Sequence, residues 1–293
     1  MNNPSPKRLG VAYGLAAYIW WGFIPLYFKA VASVPPLEVL AHRVVWSLVF
    51  LSLILWGRGR LKDVRTVLRD RRSMGLLTVT TVLIAVNWLV FIWSVFNHRL
   101  LEASLGYFIN PLVNVLLGFL FLKERLRPWQ TVAVVLAGLG VIWLAVGSGT
   151  TPWIALVLAF SFGTYGLLRK IARPDGPVGL TVETLILTPV ALVWLLWSNH
   201  QGTLVFGHQG WGMSLLLMAG GPITALPLIW FAEGARRLRY ATIGFLQYIA
   251  PSLQFLLAVT VFGETFTAAH AVSFGFIWAA LLLYSIDTAR SLR

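Results

Sequence analysis

The chain has 293 residues, of which 58% are apolar, 14% are aromatic and only 11% are charged. An ordinary globular domain is about 45–50% apolar and about 25% charged, so these proportions exclude a soluble nucleic-acid binder and a disordered chain. The net charge is +13 and there is no cysteine, which excludes a disulfide-stapled secreted fold and a thiol enzyme. The composition predicts a polytopic membrane protein.

Apolar segments follow one another along the whole chain, and each is long enough to cross a bilayer, for which about 20 residues in a helix are needed. None of them alternates with a period of two, so a β-barrel is disfavoured. We therefore predict an all-α integral membrane protein with ten transmembrane helices. They run approximately over residues 10–31, 37–56, 74–96, 102–121, 128–147, 152–170, 178–198, 211–231, 240–262 and 268–287.

Basic residues are distributed unequally between the two sides of this predicted bundle. With the N-terminus in the cytoplasm, 20 Lys and Arg residues lie at cytoplasmic loops and ends, only Lys29 and Arg99 lie at the outer ends, and Arg43 lies within a span. Cytoplasmic loops are rich in Lys and Arg, so both termini are predicted to be cytoplasmic. Because no single basic patch forms, nucleic acid is not an expected partner.

The densest basic run, residues 58–72, places Leu61, Val64 and Leu68 on one helical stripe. Such an amphipathic helix is predicted to lie in the membrane interface among anionic lipid headgroups. A specific lipid or partner site is the alternative.

An internal repeat relates residues 108–124 to residues 248–264 at an offset of 140. The matched pairs are Ile109 and Ile249, Pro111 and Pro251, Asn114 and Gln254, and Glu124 and Glu264. We predict two units of five helices each, 1–147 and 152–293. An odd number of helices inverts the second unit in the membrane, and inverted repeats suit alternating access to a central site.

Two five-helix halves, each with a span–loop–Glu–span pattern at its end, are similar to the EamA domains of the drug/metabolite transporter superfamily. The stretches GVAYGLAAYIWWGFIPLYFK and PPLEVLAHRVVWS resemble its RarD branch, the chloramphenicol-sensitive group. The resemblance implies ten helices around a central cavity, with the fifth and tenth at the periphery. It also implies a small-molecule permease of the bacterial inner membrane, without supplying a substrate.

Ionisable residues inside the spans are candidates for function, because each costs about 2.5–3.5 kcal/mol to insert. They are His42 and Arg43 in the second span and Glu183 in the seventh. Glu38 lies four residues before His42 and is predicted to pair with His42 or Arg43. Arg43 would bind a substrate carboxylate, and Glu38, His42 or Glu183 would carry a proton. The alternative is a satisfied cluster at a helix end, with Arg43 reaching the headgroups.

Amides and tyrosines beside proline mark the fourth and ninth spans as cavity walls, because proline frees a carbonyl one turn earlier and bends the helix. Hydrogen bonding between helices is the alternative role for these amides. Trp21 in the first span and Trp88 in the third suggest a stacking wall, although packing would also explain them. The candidate cavity residues are Trp21, Arg43, Asn87, Trp88, Tyr107, Asn110, Asn114, Tyr165, Gln247, Tyr248 and Gln254, and the candidate kinks are Pro25, Pro111 and Pro251.

Motifs for nucleotide binding and hydrolysis are absent from the sequence: there is no GxxxxGK[ST], HExxH or GxSxG. We expect no cofactor, no metal and no enzymatic activity. The predicted function is secondary transport of small organic metabolites or drugs, with amino-acid-like, vitamin-like or amphenicol-like substrates, by a monomer or homodimer. The alternatives are a passive channel and a multi-pass enzyme acting on lipids.

Overall fold

The computed structural model describes residues 6–122, 127–148, 151–235, 237–238 and 246–291. These ranges contain eleven α-helices and no strand. The helices are α1 (Pro6–Ala30), α2 (Pro36–Gly57), α3 (Leu61–Arg69), α4 (Arg71–Phe96), α5 (Leu100–Leu122), α6 (Pro128–Ser148), α7 (Trp153–Ile171), α8 (Gly176–His200), α9 (Gly210–Ala235), α10 (Ile249–Thr260) and α11 (Ala268–Ser291).

Eight of these helices, α1, α2, α4, α5, α6, α8, α9 and α11, are long and apolar enough to cross a membrane. The apolar helices α7 and α10 are shorter. These helices confirm an all-α multi-pass membrane protein, whereas ten crossings stay a prediction. Residues 240–245 of the predicted ninth span lie outside the described residues. Large apolar side chains such as Val190 and Leu196 lie exposed on the helix surfaces, as a lipid-facing surface requires.

Helix α3 is the amphipathic helix expected in the basic run, and it packs against α4 and α8. Only Val64 of the predicted stripe is buried, whereas Leu61 and Leu68 stay exposed. Asp70 follows α3 and caps the start of α4, where its carboxylate accepts hydrogen bonds from the Arg72 backbone N–H at 3.2 Å and the Ser73 hydroxyl at 2.7 Å. The hydrogen bond from Ser73 is the main cause that lowers the pKa of Asp70.

Contacts between loops define two ends of the bundle. We call the end at which α1 begins, with residues 58–60 and 172–175, the N-terminal face. The opposite end, with residues 31–35, 97–99, 201–209 and 261–267, is the distal face. At the N-terminal face, the Arg60 guanidinium lies 2.8 Å from the Asp175 carboxylate. At the distal face, the Lys29 ammonium group donates to the Val261 carbonyl at 3.0 Å.

The most extensive helix contacts join the first six helices to the last five. They are the pairs α6–α11, α5–α7, α2–α9, α2–α8 and α1–α9. Helices α2 and α9 approach so closely at Gly221 that a Cβ atom there would overlap the backbone carbonyl of Trp46. The structure therefore brings residues far apart in sequence to the interface between two groups of helices.

The prolines differ in their positions within the helices. Pro25 and Pro111 lie inside α1 and α5. Pro251 is the third residue of α10; the beginning of its predicted span lies outside the described residues, so a kink there stays a prediction. Because the first turn of a helix has no internal partner for its N–H groups, proline is tolerated there without loss of a hydrogen bond.

Candidate functional site

Arg43 lies on α2 at the interface with α9, with only 6% of its surface exposed. Its Nε donates to the Thr224 hydroxyl at 2.6 Å, and its guanidinium carbon lies 4.3 Å from the Trp88 ring centroid and 5.7 Å from that of Phe28. Among the described residues, no carboxylate lies within salt-bridge distance of Arg43. The cation is thus held by a hydroxyl and two aromatic faces, and its terminal nitrogens keep unused donors.

Asn87 and Tyr107 are brought together beside this cation. The Tyr107 hydroxyl donates to the Asn87 side-chain oxygen at 3.1 Å. The Asn87 amide nitrogen donates to the Leu158 carbonyl at 3.1 Å and to the Ser161 hydroxyl at 3.0 Å. Asn87 therefore joins α4, α5 and α7 through one buried side chain, next to the Trp88 ring that faces Arg43.

Glu183 forms a second polar centre on α8, with 1% of its surface exposed. Its carboxylate accepts hydrogen bonds from the Thr80 hydroxyl at 2.7 Å and the Tyr165 hydroxyl at 3.2 Å. The Arg169 Nε lies 3.8 Å from the same carboxylate. The structure thus gives Glu183 two hydroxyl donors and a cation, with the predicted residue Tyr165 among them.

The guanidinium of Arg169 reaches Glu183 because Gly179 leaves space for it. A Cβ atom at Gly179 would overlap with the guanidinium atoms. Arg169 also donates from Nη2 to the Asp175 carbonyl at 3.1 Å, whereas its Nη1 is buried without a hydrogen-bond partner in the described part of the chain. Arg169, counted from the sequence among the loop charges, is therefore part of the Glu183 centre.

Aromatic rings connect the two centres. Tyr107 contacts Phe162 at 6.1 Å between ring centroids, and Phe162 stacks on Tyr165 at 6.0 Å. On the other side, Phe91 contacts Tyr107 at 5.6 Å. A continuous row of rings thus runs from the surroundings of Arg43 to those of Glu183.

The amides of the predicted cavity walls form hydrogen bonds within α5 and between helices. Asn114 and Gln247 donate to the Asn110 side-chain oxygen at 3.2 and 3.3 Å, and Asn110 donates to the Ala159 carbonyl at 3.1 Å. Gln254 donates to the Trp21 carbonyl at 3.1 Å. The bonds of Asn110, Gln247 and Gln254 to other segments match the alternative role of the amides as links between helices. Tyr248 packs half-buried against the neighbouring apolar cluster.

Glu38 and His42 lie at the distal face, as a pair on α2. The Glu38 carboxylate accepts hydrogen bonds from the backbone N–H groups of Val205 and Phe206, with Oε1 at 3.0 Å from each. The His42 Nε2 is 3.9 Å from Glu38, and the His42 ring lies 4.5 Å from the Phe206 ring. The partners of the Glu38 carboxylate are therefore backbone groups, and both ring nitrogens of His42 are buried without a hydrogen-bond partner among the described residues.

Glu264 makes the same kind of contact, which the sequence did not predict. Its Oε1 and Oε2 accept hydrogen bonds from the backbone N–H groups of Leu100 at 2.6 Å and Leu101 at 2.8 Å. Burial raises the pKa of the Glu264 carboxyl, while the two backbone donors act in the opposite direction. In the sequence, the one feature that pointed to Glu264 was its match with Glu124 in the internal repeat.

Two cavities lie at the ends of the bundle. One of about 740 Å³, at the N-terminal face, is lined by Tyr13, Leu53, Ile54, Gly57, Arg58, Leu226, Ile229, Trp230 and Glu233. The other, about 370 Å³, lies at the distal face beside Glu264. Within the described ranges, no three His or acidic side chains are arranged to hold a metal ion.

Comparisons with known proteins agree on one family. The EamA-like transporter family matches residues 8–146. The chain is 48% identical to an uncharacterized transporter of Vibrio cholerae (96% of this chain, 93% of the relative) and 48% identical to Protein RarD of Salmonella typhi (96% and 95%). It is 33% identical to the chloramphenicol-sensitive protein RarD of Pseudomonas aeruginosa (97% and 96%).

A solved crystal structure with 19% sequence identity has a similar fold. It superimposes with a TM-score of 0.61 over 94% of this chain and 97% of the other. At this identity the likeness concerns the fold alone.

Proposed function

Because the chain belongs to the RarD-type branch of the EamA-like transporter family, we propose that it is a secondary transporter of small organic metabolites or drugs. The transported molecule carries a carboxylate that binds Arg43. The observation behind this proposal is a buried arginine that has no carboxylate partner in the described part of the chain and lies between helices of the two sequence halves.

The chemistry of Arg43 favours an anionic ligand. A cation at membrane depth is costly unless it is paired, and the hydroxyl of Thr224 satisfies only Nε. The terminal nitrogens are the donors that a carboxylate engages in a bidentate pair. The rings of Trp88 and Phe28 beside them would exclude water and stack on a planar substrate.

Helix contacts support transport by alternating access between two inverted units, 1–147 and 152–293. In this arrangement the helices of the second unit, α7 to α11, correspond in order to α1, α2, α4, α5 and α6 of the first unit. The contact α1–α9 then corresponds to α4–α7, α1–α10 to α5–α7, and α2–α9 to α4–α8. Contacts that recur when the halves are exchanged are expected of an inverted repeat.

The two ends of the bundle support one state of that cycle. The larger cavity, of about 740 Å³, lies at the N-terminal face, and the smaller one, of about 370 Å³, lies at the distal face, across which Glu38 and Glu264 bind backbone groups. We assign the N-terminal face to the cytoplasm of a bacterial inner membrane, because the order of the predicted spans allots 20 of the 23 basic residues to that side. The basic α3 would then face anionic headgroups.

Glu183 is the best supported of the three candidate proton carriers. It is buried within a span and bonded by two hydroxyl groups, which remain suitable partners in either protonation state because a hydroxyl both donates and accepts. Glu38, by contrast, is engaged by two backbone N–H groups, which can only donate. His42 is adjacent to Glu38 and would assist it.

The test is a thermal-shift screen of the purified protein with pairs of carboxylates and their neutral amides, comparing wild type, Arg43→Gln and Arg99→Gln. A ligand at a hundredfold excess over Kd stabilises the native state by about 2.7 kcal/mol. We expect carboxylates alone to raise the melting temperature, and only Arg43→Gln to lose the effect. Equal shifts from acids and amides, or an unchanged response of Arg43→Gln, would exclude the carboxylate site.

Counterflow in proteoliposomes then separates a carrier from the alternatives. A carrier accelerates uptake of labelled substrate when unlabelled substrate is inside, which a passive channel does not. Recovery of chemically unchanged substrate excludes an enzyme acting on it.

A further inference from the structure

Two carboxylates fasten the distal face in the same manner. Glu264 follows α10 and binds the N–H groups of Leu100 and Leu101 at the start of α5. Glu38 lies in the first turn of α2 and binds the N–H groups of Val205 and Phe206, between α8 and α9. Each carboxylate therefore joins the first half of the sequence to the second, in opposite directions.

We propose that Glu38 and Glu264 are the gating residues of the distal face, and that release of their backbone partners opens this face of the transporter. The proposal rests on the alternating access proposed above. It adds the contacts that distinguish the closed state from the open one.

The form of the contacts supports a clamp that has two states. Hydrogen bonds from backbone N–H groups to a carboxylate are short and strong because the acceptor is charged. Each of these two contacts depends on a single carboxylate side chain. Displacement of a short segment of the chain therefore breaks both hydrogen bonds of that carboxylate together. Residues 261–267 and 201–209, which are such segments, contain no helix.

Lys29 adds a third contact across the distal face, to the segment 261–267. Its ammonium group donates to the Val261 carbonyl at 3.0 Å and lies 4.9 Å from the Phe262 ring centroid. Since Lys29 belongs to α1, the segment 261–267 is held from α1 and from α5. Both of these helices belong to the first half of the sequence.

The N-terminal face is joined by contacts of a different kind. Arg60 pairs with Asp175 at 2.8 Å and Arg173 with Asp70 at 3.7 Å, and these side chains remain partly exposed. Exposed ion pairs contribute little to stability, whereas Glu38 is 1% exposed. The distal face is therefore the more firmly closed, and loss of its carboxylates would open it selectively.

The absence of cysteine from the chain allows a direct test. Ala258 is fully buried at the distal end of α10, and the Glu264 backbone N–H donates to its carbonyl at 2.9 Å. In Ala258→Cys protein reconstituted in nanodiscs without substrate, the rate of maleimide labelling reports opening of this face. The exposed Gln201→Cys at the same face serves as the reference for thiol reactivity.

We expect Glu264→Gln to raise the labelling rate of Ala258→Cys about tenfold, which corresponds to about 1.4 kcal/mol. Adding Glu38→Gln should raise it further. Glu102→Gln is the matched control, because Glu102 lines the same cavity but is bonded by the Arg99 side chain. Lys29→Met should give a smaller rise and is available if Glu264→Gln does not fold.

Labelling of Glu264→Gln within twofold of the parent, or an equal rise in Glu102→Gln, overturns the proposal. Because no substrate is present, these outcomes are independent of the carboxylate site at Arg43. A protein that fails to bind carboxylates but shows the expected labelling would contradict only the substrate assignment.

Discussion

Arg43 and Glu183 lie 140 residues apart in the sequence, and among the residues that the structure describes only Glu183 faces a side chain of opposite charge. Arg169 lies 3.8 Å from Glu183, whereas Arg43 meets a hydroxyl and the faces of two rings. The interface between the halves thus contains a compensated acid and an uncompensated cation. This difference supports the proposals that a substrate binds at Arg43 and that Glu183 transfers a proton.

Thr224→Val should destabilise the protein and weaken carboxylate binding. The substitution preserves shape but removes the acceptor of the Arg43 Nε, 2.6 Å away, and an unsatisfied buried donor costs about 1–3 kcal/mol. Thermal denaturation followed by tryptophan fluorescence measures the loss. Thr188→Val is the control, since the Thr188 hydroxyl bonds only within its own helix; equal melting temperatures of the two variants would contradict the prediction.

Gly179→Ala should destabilise the protein although alanine favours helices by about 1 kcal/mol over glycine. The added methyl group would overlap the Arg169 guanidinium, and overpacking typically costs about 1–3 kcal/mol. Gly166→Ala on α7 is the matched control, because nothing lies within 4 Å of its added Cβ. We expect a lower melting temperature for Gly179→Ala and an unchanged or higher one for Gly166→Ala; the reverse order would show that Arg169 is free to move.

Asn87→Ala should destabilise the protein more than Tyr107→Phe does. Removal of the Asn87 amide takes away the bonds to Leu158 and Ser161 and the acceptor for Tyr107. Tyr107→Phe removes one hydrogen bond, worth about 0.5–1.5 kcal/mol. Melting temperatures of the single variants and the double variant give the comparison. Additive effects would indicate that Asn87 and Tyr107 do not interact.

The sequence predicted the long helices well because an apolar run of about 20 residues is a local property. It also identified Arg43 and Glu183, since an ionisable residue within such a run stands out. It did not predict that Asn87 and Tyr107 pair, although both were candidates. Twenty residues and a change of helix separate them, and their pairing depends on how α4 and α5 pack.

Glu264 shows why part of the candidate site could not be predicted. Its partners are the backbone N–H groups of Leu100 and Leu101, and every residue except proline has such a group. No residue type therefore marks the other side of the contact. The role of Arg169 could not be predicted for a related reason. Its guanidinium occupies the space that Gly179 leaves free, and the sequence does not show that these two residues lie together.

At the N-terminal face, Asp175→Ala should destabilise the protein more than Arg60→Gln does. Arg60 and Asp175 form a partly exposed ion pair at 2.8 Å, and pairs of this kind contribute about 0–1 kcal/mol. The Asp175 carboxylate also accepts a hydrogen bond from the Val178 backbone N–H at 3.2 Å and caps α8. Loss of an N-cap costs about 1 kcal/mol in addition.

Salt separates the two contributions of Asp175. The ion pair is screened as ionic strength rises, whereas the cap is a short hydrogen bond that salt affects less. We therefore expect the difference in melting temperature between wild type and Arg60→Gln to vanish at high salt. The difference for Asp175→Ala should persist there, and its disappearance would show that the carboxylate stabilises α8 only through Arg60.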